Sequence, residues 1–287
     1  MKRIVIFIPL LLCISGISSQ TVIQDKQEVY GTWKLKGSPY IIEGEAIVPE
    51  EKTLVIEPGV IVKFKTGENR DYTIDGKENG AFDVGFLRVH GTIKAEGSKN
   101  KLITFTRFGG NGFWGNIEIN SRSNDNLLKY CWIEASHYVR GVVADTYDNA
   151  TGAVSFFNSS GTIENCLFIS NGWTAFNCKE GSTPIFRNNT LVDNEYGLEC
   201  NSGSAPIIIN TIIWNNSNPF YVNQGSNPHI SYSLIQPPGI VVDLKDDGNN
   251  IIGVAPEFID PINNDYGIKT SSPAYKKGKG GVNIGAL

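Results

Sequence analysis

The alternation of apolar and polar residues in the second half of the chain repeats with a period of about 22 residues. Residues 184–194 align without gaps with residues 206–216, and residues 228–236 follow at the same spacing. Two earlier copies begin at Gly161 and Asn126. Each copy contains strands of a few residues, rich in β-branched side chains, in which apolar and polar positions alternate. Self-similarity at this period predicts a stack of equivalent structural units.

A second strand in each copy keeps the same phase, over residues 175–178, 197–200 and 219–222. Successive side chains of a strand point to opposite faces of its sheet, so the alternation separates inward from outward positions. The pattern predicts two inward columns and one outward column: Phe176, Leu198 and Phe220; Cys178, Cys200 and Val222; and Asn177, Glu199 and Tyr221.

The period is too short for a helical repeat, and the Leu-x-x-Leu-x-Leu skeleton of leucine-rich repeats is missing. The remaining solution is an all-β coil whose turns add strands to parallel sheets, stacked about 4.8 Å apart. We therefore predict a parallel β-helix. Asparagine tolerates the left-handed backbone of a tight corner, and stacked amides can bond each other. Two such columns are expected: Asn165, Asn188 and Asn210; and Asn171, Asn194 and Asn216.

The first half of the chain follows the same rule with longer loops. Residues 54–62 align with residues 87–95, one turn plus an insertion at residues 67–80, and residues 103–105 and 117–119 fit as further turns. About eight turns are expected. The predicted organisation is a signal peptide, an N-terminal cap, the parallel β-helix and a C-terminal closing segment, over residues 1–19, 20–45, 46–236 and 237–287.

Composition narrows the function classes. The 287 residues include 25 basic and 29 acidic side chains, a net charge of −4 without a basic cluster, which argues against nucleic acid as a partner. Lys2 and Arg3 precede an apolar run and small residues, the layout of a cleaved secretory signal. Cys13 follows a bulky Leu12, which disfavours a lipoprotein signal. We expect a secreted or extracytoplasmic monomer without a transmembrane segment.

Several stretches carry a family resemblance. Residues 31–33, 38–64 and 89–97 are similar to the N-terminal cap and opening turns of bacterial β-helix proteins, and residues 255–287 resemble their closing segment. The chain thus resembles secreted right-handed single-stranded β-helix proteins of the pectin lyase-like superfamily. This superfamily contains lyases, glycoside hydrolases, epimerases, adhesins and proteins without known activity, so the resemblance implies the fold and leaves the activity open.

The resemblance implies that a polysaccharide lyase on this fold needs carboxylates that bind Ca²⁺ and a Lys or Arg that removes a proton from the substrate. Glu164, Arg187 and Glu199 are the weak candidates for such a site. Lys129, Glu164, Arg187 and Ile209 follow one another at a spacing of one turn, and their alternating charge is typical of a surface ion-pair column. We assign no catalytic residue, no metal site and no cofactor, and Ca²⁺ enters only with the lyase alternative.

Aromatic residues at or near the corners are the candidates for carbohydrate binding, because flat rings on a ridged surface can stack on sugar faces. Tyr221 points outward by alternation, and Trp173, Tyr196 and Trp214 lie near corners. Trp214 also continues the apolar positions of its strand in other turns, so core packing is the alternative for it.

Four cysteines remain after signal removal: Cys131, Cys166, Cys178 and Cys200. They fall as two pairs on adjacent turns, where export would permit disulfides. Val222 occupies the next position of the second column, which indicates a slot for a small apolar residue and favours buried thiols.

The leading hypothesis for function is an exported, non-catalytic β-helix that binds extracellular or surface polysaccharide through a lateral face. The alternatives are a polysaccharide lyase or related enzyme, and a purely structural surface protein.

Overall fold

The computed structural model describes residues 20–67, 84–137, 152–223, 225–241 and 243–287. This part of the chain forms 29 strands of two to six residues and two short 3₁₀ helices, Leu35–Gly37 and Pro261–Asn263. The predicted signal peptide, residues 1–19 with Cys13, lies outside the described residues. The strands are β1 Thr21–Ile23, β2 Gln27–Glu28, β3 Gly31–Trp33, β4 Tyr40–Ile42, β5 Glu45–Val48, β6 Thr53–Ile56, β7 Ile61–Lys65, β8 Phe86–Val89, β9 Thr92–Glu96, β10 Ile103–Phe108, β11 Ile117–Ile119, β12 Leu127–Lys129, β13 Cys131–Glu134, β14 Gly152–Phe157, β15 Thr162–Glu164, β16 Leu167–Ile169, β17 Thr174–Lys179, β18 Ile185–Arg187, β19 Thr190–Val192, β20 Tyr196–Cys200, β21 Ile207–Ile209, β22 Ile212–Trp214, β23 Asn218–Val222, β24 His229–Ser231, β25 Leu234–Ile235, β26 Lys245–Asp246, β27 Ile251–Ile252, β28 Phe258–Asp260 and β29 Asp265–Ile268.

Three long parallel sheets run side by side along one axis, and each coil of the chain adds one strand to each of them. A separate antiparallel pair, β28 and β29, follows the coils. The strand orders are β1-β4-β7-β10-β13-β16-β19-β22-β25-β27 in sheet A, β2-β5-β8-β11-β14-β17-β20-β23 in sheet B, and β3-β6-β9-β12-β15-β18-β21-β24-β26 in sheet C. This arrangement confirms the predicted parallel β-helix.

The interior of the coils is apolar and in register from one turn to the next. Phe176 pairs with Leu198, which pairs with Phe220, and all three side chains are buried. Cys178, Cys200 and Val222 form the neighbouring inward column. Both columns confirm the alternation read from the sequence, because strands with a period of two place the same positions inside on every coil.

The sheets reach further than the sequence indicated. Pairing begins at Thr21 and continues to Ile252, beyond residues 46–236, and sheet A has ten strands where about eight turns were predicted. The alignment of residues 54–62 with 87–95 was wrong, because Leu54 lies beside Ile93 in sheet C, whereas Leu87 belongs to sheet B. Short alternating strands look alike in all three sheets, so a sequence match can slip from one sheet to the next.

Two columns of asparagine residues occupy two corners of successive coils. Asn165, Asn188 and Asn210 all have left-handed backbone, with φ of 56°, 52° and 53°, and the Asn210 amide donates to Asn188 Oδ1 at 3.0 Å. The amide of Asn165 instead donates to the carbonyl of Ala286. In the second column the Asn171 amide donates to Asn194 Oδ1, which is 2.8 Å away.

That second column continues without a break. The Asn194 amide donates to Asn216 Oδ1 at 2.8 Å, and Asn216 reaches Gln236 Oε1 at 3.3 Å. A serine column, which the sequence reading missed, follows the B-to-C corner, where Ser159, Ser182 and Ser204 each donate a backbone N–H to the next serine hydroxyl. These columns satisfy the polar groups that the corners bury.

The three lateral faces differ in what covers them. Residues 255–287 turn back along the outer face of sheet A, where Ala274 and Ile284 pack on Ile212 and Leu234. The outer face of sheet B is buried over most of its length, whereas sheet C presents its outer side chains to solvent. The closing segment therefore covers a lateral face, and within the described ranges sheet C and part of the corner between sheets A and B are open to solvent.

Candidate functional site

A row of aromatic rings lies along the corner at which each coil passes from sheet A to sheet B. Trp173 precedes β17, Tyr196 begins β20 and Tyr221 lies in β23, on successive coils. The ring centroids of Trp173 and Tyr196 are 5.4 Å apart, and those of Tyr196 and Tyr221 are 6.3 Å apart. Three of the four predicted carbohydrate-binding residues thus share one surface.

Two further rings extend this row in the opposite direction. The His137 ring lies 5.9 Å from the Trp173 ring, and Phe113 lies 5.4 Å from His137. The aromatic row therefore consists of Phe113, His137, Trp173, Tyr196 and Tyr221. Sequence reasoning missed the first two because the coils that carry them do not keep the period of 22. The only signal was their position just outside strands of the repeat.

A groove of about 410 Å³ runs beside the aromatic row. Corner residues of three consecutive coils line it, together with the Phe113 ring, which belongs to both features. The lining segments are residues 170–172, residues 193–195, Asn215 and Ser217. Asp193 Oδ1 accepts a hydrogen bond from the Asn215 amide at 2.5 Å. The corner thus combines stacking surfaces with polar groups that can bond hydroxyls.

Trp214, the fourth predicted carbohydrate-binding residue, does not join the row. It lies beside Val192 in sheet A and packs against the cluster formed by Ile212, Ala274 and Ile284 under the closing segment. Trp214 is half-buried, and its contacts fit the alternative of apolar packing that the sequence left open for it. The reason is the return of residues 255–287 over sheet A, which brings apolar partners onto this position.

The lyase-type candidates Glu164 and Arg187 lie in the charged column on sheet C. Glu164 Oε1 is 2.6 Å from Lys129 Nζ, and Glu164 Oε2 is 2.5 Å from an Arg187 terminal nitrogen. Burial alone would raise the pKa of Glu164, but hydrogen bonds from Lys129 and Arg187 hold it below its ordinary value. The hydrogen bond to Glu164 raises the pKa of Lys129. This is the ion-pair column that the alternating charges predicted.

Glu199, the third lyase-type candidate, belongs to a different sheet. Its side chain accepts hydrogen bonds from Thr174 Oγ1 at 3.1 Å and from the Asn201 amide at 2.6 Å. The outward assignment of Asn177 and Glu199 holds for the face of the strand and is wrong for exposure, since Asn177 is fully buried and Glu199 is 8% exposed. The structure does not bring Glu199 together with Glu164 and Arg187.

A buried carboxyl group on sheet B was not anticipated from the sequence. Glu118 is fully buried, and neither of its oxygens has a hydrogen-bond partner in the described part of the chain. Burial raises its pKa to about 7, nearby Arg88 lowers it and Glu45 raises it. Arg88 Nε pairs with Glu45 Oε1 at 3.0 Å, so its charge is shared with that carboxylate.

The four cysteines are buried and free, which confirms the preference for thiols. Burial raises the pKa of Cys131 and Cys178, so these thiols stay protonated in the core.

Among the described residues, no group of three or more His, Cys, Asp or Glu side chains could hold a metal ion. Within the same ranges, no helix has the length and hydropathy needed to cross a bilayer.

Comparison with known proteins agrees with this architecture. Residues 143–272 match a family described as right handed beta helix region. A search of curated proteins gave no match. The matched segment covers the regular coils in which the period of 22 is clearest, and the three sheets extend the same geometry on its N-terminal side, back to Thr21. The chain is a right-handed parallel β-helix protein.

Proposed function

We propose that this protein is exported and binds an extracellular or cell-surface polysaccharide along the corner between sheets A and B. The observation that carries the proposal is the aromatic row beside a polar groove, with centroid separations of 5.4 to 6.3 Å between neighbouring rings. The His137 ring is buried, and the other four rings are at least partly exposed. The C–H face of a sugar ring is apolar and can lie on an aromatic ring. A row of rings along the axis suits an extended chain of sugars.

Rigidity favours this function. The rings stand on strands and corners of the stacked coils. Strands β17 and β20 are bonded to a strand on each side, and β23, which carries Tyr221, is bonded to β20 at the end of the described sheet B. A binding surface that is already ordered loses little conformational entropy when a ligand arrives, so more of the contact energy appears as affinity. Export rests on the pattern of residues 1–19 and is part of the proposal.

Replacing Tyr221 by alanine tests the row directly. Tyr221 is 47% exposed at the end of the row, so its removal costs little packing inside the protein. We expect Tyr221→Ala to weaken polysaccharide binding by about tenfold, equivalent to about 1.4 kcal/mol, because exposed aromatic anchors carry much of the energy of such contacts. Affinity electrophoresis in gels that contain soluble polysaccharides measures the change.

Tyr30→Ala is the matched control, since Tyr30 is 55% exposed and lies outside the row. It is expected to leave the dissociation constant unchanged. Trp173→Ala, at the centre of the row, should weaken binding at least as much as Tyr221→Ala, provided that its thermal unfolding curve stays cooperative. Equal binding by all three variants and the parent protein would contradict the proposal and leave a purely structural role.

The lyase alternative requires a basic side chain that can lose its proton near the substrate. The candidate base Arg187 and the neighbouring Lys129 are both paired with Glu164, and the pairing raises the pKa of Lys129. That shift favours the charged form, which cannot accept a proton. Ultraviolet absorbance of the unsaturated product, with uronate polymers and Ca²⁺, distinguishes the alternatives, and turnover above the blank would favour the enzyme.

A further inference from the structure

We infer that the corner groove takes neutral polysaccharide and discriminates against uronate polymers. This inference rests on the proposed function and names the class of ligand. It comes from the charges that line the groove. The described lining residues include two carboxylates, Asp193 and Glu195, and no Lys, Arg or His. The remaining polar lining consists of serine and asparagine side chains.

The two carboxylates lie in one corner segment. Their negative charge attracts cations and hydroxyl donors to the groove. A uronate carboxylate placed beside them would meet like charge, and no basic side chain among the described lining residues would offset it. Lys129 and Arg187, the basic residues of the charged column, lie on sheet C instead, where both form ion pairs with Glu164. The described lining therefore offers no guanidinium or ammonium partner of the kind that recognition of an acidic sugar uses.

The hydrogen-bonding capacity of the groove fits neutral sugars. Asp193 uses one oxygen for the Asn215 amide, which leaves a second acceptor. Glu195, Ser170 and Ser217 make no side-chain hydrogen bond within the described residues. An ionised carboxylate accepts several hydrogen bonds, so Glu195 can receive two hydroxyl donors from adjacent positions of one sugar. Stacking on the aromatic row would hold the same chain from its apolar face.

A panel of soluble polymers tests the inference on the whole protein. The panel pairs neutral glucans, mannans and xylans with polygalacturonate and alginate, and affinity electrophoresis is run at low and at high ionic strength. We expect at least one neutral polymer to retard the protein, and each uronate polymer to bind at least tenfold more weakly at low ionic strength. The difference should shrink when salt screens the charges.

Any other outcome contradicts the neutral ligand class, or both that class and the proposed polysaccharide binding. Retardation by uronate polymers alone, or equal retardation by both classes at low salt, would overturn the neutral ligand class while the proposed polysaccharide binding stands. If no polymer retards the protein, and Tyr221→Ala behaves as the parent does, both the ligand class and the proposed function are refuted.

The double variant Asp193→Asn, Glu195→Gln isolates the two carboxylates. It is expected to bind uronate polymers at least fivefold more tightly than the parent at low ionic strength, and the gain should vanish at high salt. The control Glu50→Gln, Glu51→Gln changes the net charge equally at exposed positions away from the groove. An equal gain in the two double variants would show that overall charge, and not the groove, excludes uronates.

Discussion

Replacing Asn194 by alanine is expected to lower the free energy of unfolding by about 4 kcal/mol. The Asn194 side chain lies at the centre of the second asparagine column and is 2% exposed. Its oxygen accepts from the backbone and side chain of Asn171, and its amide donates to Asn216 Oδ1 and to the carbonyl of Phe168. Alanine would leave these buried groups unsatisfied, each at a cost of about 1–3 kcal/mol before relaxation. Urea unfolding followed by circular dichroism measures the loss.

Asn215→Gly is the control for the asparagine column. Asn215 is the neighbouring corner residue, has φ of 55° and is exposed, and its amide bonds Asp193. Glycine retains the left-handed backbone, so only a surface hydrogen bond is lost and a change of less than about 1 kcal/mol is expected. If the two variants lost equal stability, the stacked amides would not be what holds these corners together.

Replacing Glu118 by glutamine is expected to stabilise the protein above pH 7 by about 3 kcal/mol. In the folded state the pKa of Glu118 is about 7, against an ordinary value of 4.5. The folded protein therefore holds the proton more tightly than the unfolded chain does. The stability contributed by the protonated carboxyl is complete below pH 4.5 and is lost as the pH rises through about 7, where a buried charge must form.

The measurement is the free energy of unfolding of the parent and of Glu118→Gln from pH 4 to pH 9. The two curves should coincide below about pH 4.5 and separate as the pH rises, with the parent the less stable protein. Glu50→Gln, at an exposed position, should follow the parent throughout. Arg88 and Glu45 are the charged groups around Glu118, and their mutual ion pair leaves burial as the dominant effect. Parallel curves at every pH would show that Glu118 is already solvated.

The candidate site was only partly accessible to sequence reasoning. Trp173 and Tyr196 could be placed together because they keep nearly the same phase of a regular period. Tyr221 pairs with Glu199 further along its strand, and only the structure shows that its ring meets that of Tyr196. Phe113 and His137 complete the row from coils with irregular loops, where no phase could be counted. The groove itself depends on the shape of three corners, and no pattern of residue types encodes that shape.

Burial was the quantity that alternation could not provide. The sequence assigned Asn177 and Glu199 to the outer face of their strands, and this is correct, yet both are buried. It assigned Trp214 to either a corner or the core, and the return of the closing segment decided the matter. Alternation states which face of a sheet a side chain lies on, whereas exposure depends on which distant segment covers that face.

The repeat in the amino-acid sequence was sufficient to establish the parallel coil, its inward columns such as Phe176, Leu198 and Phe220, and its asparagine corners, because these rest on contacts between equivalent positions of adjacent turns. Three matters belonged to the folded chain alone: the register of the irregular first coils, the covering of sheet A by residues 255–287, and the burial of Glu118. Each arises from contacts between segments that share no period, and a local pattern carries no information about such partners.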